Sequence, residues 1–231
     1  MTTLLADLGP IAQLRAGRLP RRFAQLFVGL FLYGASLALM VRGNLGLAPW
    51  DVLHSGLIRY VPIDLGQMVI VMSVVVLLLW IPLREKPGIG TVANALMIGS
   101  SADLVMAELP TQHHLAVRLI LTVAGIALCA LATAMYIGAQ FGRGPRDGLM
   151  TGLVRRTGWS IRLVRTGLEI AVVILGLLLG GGLGLGTVAF ALLIGPLTQP
   201  LLPFWVVRLP EAATASVPAT VPAPVTGEAS C

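Results

Sequence analysis

Two stretches of this chain recur at one constant spacing. A step of 96 positions carries Gly46, Pro49, Asp51, Leu53, Gly56, Leu57 and Arg59 onto Gly142, Pro145, Asp147, Leu149, Gly152, Leu153 and Arg155. The same step carries Gly88, Gly90, Thr91, Val92, Ala93, Ala95, Leu96, Ile98 and Gly99 onto Gly184, Gly186, Thr187, Val188, Ala189, Ala191, Leu192, Ile194 and Gly195. Arg22 and Gly29 land on Arg118 and Gly125. Apolar segments match by chance at Leu and Val. Glycine, proline and aspartate patterns that stay in register require a duplicated structural unit. Any fold for this chain must be buildable twice from one half.

Each half is made of apolar runs that suit a bilayer. The 231 residues are 56% hydrophobic and 11% charged, whereas a soluble domain carries about a quarter charged residues. The runs cover about 23–41, 65–83 and 88–107 in the first unit and 115–138, 163–180 and 184–202 in the second. Each is close to the ~20 residues that a helix needs to cross a ~30 Å hydrocarbon core. The net charge of +6 is arginine apart from Lys86, and it gathers at the ends of the runs. That placement fits topology signals and lipid headgroup contacts. It does not fit the continuous basic face of a nucleic-acid binder. Cys129 and Cys231 form no metal or redox spacing, so no metal or cofactor is expected.

The expected organisation is a cytoplasmic lead at 1–22, one repeat at 23–110, a second at 115–208 and an Ala/Pro/Thr-rich tail at 209–231. The lead has no cleavable signal pattern, because its arginines follow the weak apolar stretch instead of preceding it. The tail lacks periodicity and is expected to be disordered. Between the first and second runs of each unit lies a short segment, 49–60 and 145–157. Twelve residues span only about 18 Å as a helix, too short to cross. Three crossings per unit is an odd number, so the second copy must be inverted. The fold expected is therefore an all-α membrane protein of six transmembrane helices in two inverted three-helix repeats, each with a short non-spanning helix after its first span.

Charge placement tests this independently. With both termini cytoplasmic and six crossings, only Arg42, Arg59 and Arg118 of the 16 basic residues fall outside. That asymmetry obeys the positive-inside rule. Eight crossings would move Arg84 and Lys86 outside and weaken it.

The short segments hold the most distinctive residues. Proline suits the first position of a helix, and an acidic residue in the first turn complements the helix dipole, as Pro49/Asp51 and Pro145/Asp147 do. Two readings follow. Asp51 and Asp147 either cap interfacial helices or line a central cavity as part of broken helices. Arg59 and Arg155 match across the repeat and read either as snorkelling side chains or as partners for an anion or aspartate. Glu169 lies inside the fifth run, four residues after Arg165, as an ion pair or a functional carboxylate. Asn94 and Asp103 on the third run are polar contacts between helices or with a solute. Gly90, Gly99, Gly186, Gly195, Gly176 and Gly180 are candidates for close helix packing, which would put the third and sixth runs at the centre.

The run Gly43-Asn44-Leu45-Gly46-Leu47-Ala48-Pro49-Trp50-Asp51-Val52-Leu53 together with Gly88-Ile89-Gly90-Thr91 resembles the YczE/YyaS/YitT family of bacterial integral membrane proteins, nearest its YczE branch. The resemblance covers about Phe23 to Arg208. It implies a multi-pass membrane protein without an established activity, and frequent linkage of its genes to MocR-type regulators points towards small-molecule transport or homeostasis. Trp50 is replaced by Arg146 in the second unit, so a role for the tryptophan belongs to the first unit only.

No nucleotide-binding loop, zinc spacing or Ser/His/Asp arrangement is present, so no enzyme is expected. The leading expectation is a secondary transporter or exporter of a small polar solute in the inner membrane. The alternative is a non-transporting accessory protein that supports another membrane complex. Expected partners are the lipid bilayer and the solute, without nucleic acid, and association into a homo-oligomer stays open. The inverted repeat makes a direct prediction: topology reporters put Trp50 on the outer side and Arg146 on the cytoplasmic side. Both reporting from one side would overturn it.

Overall fold

The computed structural model describes residues 9–209. Residues 1–8 and 210–231 lie outside the described residues, and with them falls the expectation of a disordered tail. The described residues form nine helices and no strand: α1 (Pro10–Arg15), α2 (Leu19–Gly43), α3 (Pro49–Leu57), α4 (Leu65–Leu83), α5 (Ile89–Glu108), α6 (Leu115–Gly138), α7 (Pro145–Thr157), α8 (Ile161–Leu178) and α9 (Leu185–Trp205). Their boundaries follow local chemistry. Proline begins α3 and α7, where a missing N–H costs nothing. The Asp64 and Gln67 side chains close a capping box on α4, and the Ser160 hydroxyl accepts from the Leu163 amide at the start of α8.

Five helices, α2, α4, α5, α6 and α9, are long and apolar enough to cross a membrane. The run expected at 163–180 falls in α8, whose first half carries Arg162, Arg165 and Glu169. Large apolar side chains such as Leu78, Ile81, Ile120, Leu178 and Phe204 are exposed on the outer faces. Lipid is the solvent that makes such a surface stable.

The centre is the α2–α6 pair, the most extensive helix contact in the molecule. The expectation that the third and sixth runs sit there is corrected for the sixth, whereas the third, α5, packs on α2 and its most apolar stretch is 50% buried. The most apolar stretch of α9 is only 17% buried, against 56% for α2. Glycines on both helices allow α2 and α6 to approach. A Cβ on Gly29 would press on Met135 and the Tyr136 amide, and one on Gly125 would press on Met40 and the Ser36 carbonyl. The helices run in opposite directions, and each arginine near an N-terminus caps the other helix. Arg22 donates through Nε to the Ala139 carbonyl at 2.9 Å and through Nη2 to Gln140 at 2.8 Å. Arg118 donates to the carbonyls of Gly43 and Asn44, the positions 96 earlier. These acceptors are the orphan carbonyls that a helix end leaves unpaired.

The loops that follow are also exchanged between halves. Leu45 accepts from the Gly186 amide of α9, and Phe141 accepts from the Gly90 amide of α5, at 2.7 and 2.8 Å. Asn44 and Gln140 share a left-handed backbone, as do Gly46 and Gly142. A Cβ at Gly46 would strike the Thr187 amide, so glycine is required there both for its φ of 129° and for space.

The short helices pack across the halves as well, α3 on α8 and α7 on α4. Here equivalent positions exchange bulk. Gly176 of α8 receives the backbone of Val52 and Leu53, while Gly148 of α7 receives the ring of Trp80. Val52 corresponds to Gly148, and Trp80 to Gly176. The glycine sits on α8 in one contact, against α3 backbone, and on α7 in the other, against the indole of α4.

One contact is not reproduced. In the first half α4 packs on α5 through Gly66 and Gly99, and the Gly66 amide donates to Asp103 at 2.8 Å. The equivalents are Arg162, Gly195 and Gln199, and α8 makes no comparable contact with α9. Gly195 has open space where a Cβ would stand. It is therefore not a packing glycine, because the bulk of Arg162 prevents the approach that Gly66 allows. Gly180 is also corrected: it lies beyond the end of α8 with a φ of 82° and faces the Arg59 side chain. Gly90, Gly99, Gly186 and Gly176 do meet backbone from other helices or loops.

Arg22 is fully buried and caps carbonyls that water cannot reach. Arg22→Ala is expected to lower thermal stability in detergent by about 1–3 kcal/mol per carbonyl left unpaired, and more than Arg118→Ala. Equal melting of both variants and the parent would refute the capping role.

Candidate functional site

The first turns of α3 and α7 meet inside the bundle. Asp51 is 5% exposed and has two side-chain partners. His54, one turn later on α3, places Nδ1 3.0 Å from Asp51 Oδ1, and Arg146 of α7 reaches within 3.6 Å of the same oxygen. The guanidinium of Arg146 also lies over the Trp50 ring, 5.1 Å from its centroid. The residue that replaces tryptophan in the second half thus stacks on the tryptophan of the first. A carboxylate so far from water is stable because the helix N-terminus, an imidazole and a guanidinium all surround it. Burial lowers the pKa of His54, against the raising pull of Asp51 beside it. Its Nε2 is buried without a hydrogen-bond partner.

Asp147, the equivalent of Asp51, has a different environment. Its Oδ2 accepts from the Tyr136 hydroxyl of α6 at 2.7 Å. Tyr136 in turn stands edge-on to Tyr33 of α2, with centroids 6.1 Å apart. Trp80 fixes the start of α7 by donating from Nε1 to the Pro145 carbonyl at 3.0 Å.

Two cavities converge on these residues. The larger, about 270 Å³, is walled by Trp50 of α3, Tyr33, Tyr136, Arg146 and Asp147, by Arg165 and Glu169 of α8, and by Phe190, Ile194 and Thr198 of α9. The smaller, about 50 Å³, is walled by Val69 and Ser73 of α4, Asn94 and Ile98 of α5, Gly144 and Pro145, and again by Tyr33, Tyr136, Arg146 and Asp147. Adding 96 to Val69, Ser73, Asn94 and Ile98 gives Arg165, Glu169, Phe190 and Ile194. The cavities are lined in part by equivalent positions of the two halves and differ in size, about 270 against about 50 Å³. The missing α8–α9 contact makes the difference.

Among the sequence candidates, Trp50, Asp147 and Glu169 line the larger cavity and Asn94 the smaller. Asp51 stands behind the wall, joined to it through Arg146. Glu169 pairs with Arg165 at 3.0 Å. Arg59, Arg155 and Asp103 lie elsewhere. Arg59 is exposed beside Gly180, Arg155 pairs with Glu85 at 3.0 Å, and Asp103 holds the start of α4. Sequence reasoning missed His54, Tyr33, Tyr136, Arg146 and Arg165. The signals available were a histidine three residues after Asp51 on a short helix, and tyrosines inside apolar runs. Among the described residues no group of three or more His, Cys, Asp or Glu could hold a metal.

The Asp51–Arg146 pair joins the halves where neither group is well solvated. A double-mutant cycle with Asp51→Asn and Arg146→Gln, read by thermal unfolding, is expected to give a coupling of about 0.5–3 kcal/mol. Additive effects would mean that the two charges do not act on each other.

Residues 20–202 match a family of unknown function, DUF6198. The chain is 40% identical over 186 residues to an uncharacterised protein of Haemophilus influenzae, covering 80% of this chain and 85% of that one. It is 31% identical over 206 residues to the uncharacterised membrane protein YczE of Bacillus subtilis, covering 85% and 96%. The uncharacterised protein YyaS of the same organism is 26% identical over 180 residues, covering 76% and 90%. No solved structure matches the chain. Apolar helices with exposed aliphatic faces, the matched family and the similarity to YczE agree, and the chain belongs to the DUF6198 family as a YczE-like membrane protein.

Proposed function

We propose that this protein is a secondary transporter of a small polar solute in the cell membrane, a carrier and not an enzyme. In this reading it consists of two inverted three-span units with both termini in the cytoplasm. The observation behind the proposal is the unequal pair of cavities lined in part by equivalent positions, sharing Tyr33, Tyr136, Arg146 and Asp147 as a common wall. In carriers built from inverted repeats, a site near the membrane midplane is reached from one face at a time. Exchanging the conformations of the two repeats exchanges the open route for the closed one. Here the side along α8 and α9 holds the wider cavity, and the close Gly66–Gly99 contact between α4 and α5 accompanies the narrower one.

Under this topology α8 is the fifth of six crossings. Arg162 and Arg165 then lie at its cytoplasmic end, where basic residues are retained, and Glu169 offsets Arg165. The short helices α3 and α7 enter from opposite faces without crossing, and the positive ends of both dipoles point at the shared wall. Only buried or cavity-lining backbone can be irregular at membrane depth, and the loops 44–48 and 139–144 satisfy that condition by bonding to α9 and α5.

The test is flux. Purified full-length protein in liposomes is expected to move a solute from a panel of labelled amines, amino acids and carboxylates down an imposed gradient. Asp51→Asn or Asp147→Asn is expected to slow that movement. Unchanged flux in both variants would remove these residues from the mechanism. A stoichiometric membrane partner in mild detergent, with no flux of any solute, would replace the carrier with the accessory role.

A further inference from the structure

The larger cavity is walled by two arginines and two carboxylates, Arg146, Arg165, Asp147 and Glu169, and Asp51 stands behind Arg146. Arg146 is answered by Asp51, and Arg165 by Glu169. Asp147 has no cation within ion-pairing distance among the described residues, and its one side-chain partner is the neutral Tyr136 hydroxyl. Asp147 lies in the first turn of α7, where the helix dipole complements an acidic side chain. The cavity walls beside it are aromatic: Tyr33, Trp50, Tyr136 and Phe190. Aromatic faces attract cations, as the Arg146 guanidinium over Trp50 already illustrates. A cavity of about 270 Å³ is slightly below the range of roughly 300–1,000 Å³ that holds drug-sized ligands, which restricts the occupant to a small molecule.

We infer that Asp147 is the binding carboxylate for a small organic cation, an amine or quaternary ammonium, held against the aromatic walls of this cavity. The inference rests on the carrier reading and names its substrate class. Asp147 is suited to the task by position as well as charge, because it faces both cavities and stays within reach of a solute arriving from either. An anionic solute would compete with Asp51 for Arg146, and it would stand opposed to Asp147. A neutral solute would leave Asp147 without a counter-charge.

Equilibrium binding tests this separately from transport. Full-length protein in detergent is titrated with tetramethylammonium, tetraethylammonium and 1,4-diaminobutane, and with succinate and phosphate as anionic probes. At least one cation is expected to raise the melting temperature, and Asp147→Asn is expected to weaken that cation's binding by about tenfold or more. Asp147→Glu should retain binding, and Glu108→Gln, which removes an exposed acid elsewhere, should not alter it. Where Asp147→Asn fails to fold, the parent protein serves instead: the bound cation should slow dicyclohexylcarbodiimide modification of Asp147, read by mass spectrometry. Stabilisation by anions alone, or by none of these probes at tens of millimolar, overturns the inference and leaves the carrier reading to the flux assay. Cation binding without flux keeps the inference and removes the carrier.

Discussion

The antiparallel crossing of α2 and α6 is the contact on which everything else is hung. Two glycines bring the helices together, and two arginines finish each other's helix ends. The arginine caps solve a problem specific to this architecture. A spanning helix that ends inside protein leaves carbonyls which neither water nor lipid can satisfy. By supplying donors from the opposite half, the chain makes each unit incomplete without the other. The exchanged loops and short helices extend the same logic outward. Every major contact of a short helix is with the other half.

This interlocking explains how polar groups persist at the centre. Asp51, His54 and Arg146 come from two short helices whose N-termini converge, and a buried charge is tolerable only when such partners are fixed in place. The matching position, Asp147, lacks that set of partners. Near-symmetric backbones therefore carry unlike electrostatics. The departures are concentrated: Trp50 against Arg146, Gly66 against Arg162, Asn94 against Phe190, Ser73 against Glu169. Most of them line one cavity or the other. Symmetry sets the frame, and its local failures set the chemistry.

Much of the frame was legible in the residues. The apolar runs, the recurring Gly-Pro-Asp pattern and the shortness of the segments after Pro49 and Pro145 all act through local rules: bilayer length, helix starts and repeat register. Packing was less legible. Small residues on α5 and α9 looked like a central seam, yet burial depends on which neighbour offers a matching surface, and Arg162 withholds one from Gly195. Gly180 follows the GxxxG spacing but ends a helix, because spacing alone does not reveal where a left-handed backbone falls. In the site, Asp51 and Asp147 could be found from one strand of reasoning, capping chemistry. Arg146 could not, since its importance comes from a contact with Asp51 across the repeat that no single stretch of sequence displays.

The exchange of bulk between Val52–Gly176 and Gly148–Trp80 has a consequence for how such a chain can exist at all. Two copies of the first half, paired as the halves are here, would drive Val52 into the indole of Trp80. Two copies of the second would face Gly148 with Gly176 and leave a hole. Neither half can pair with itself, whereas the mixed pair fits. The two halves are in this way complementary and not interchangeable: separate them, and only the heterologous combination is expected to reassemble.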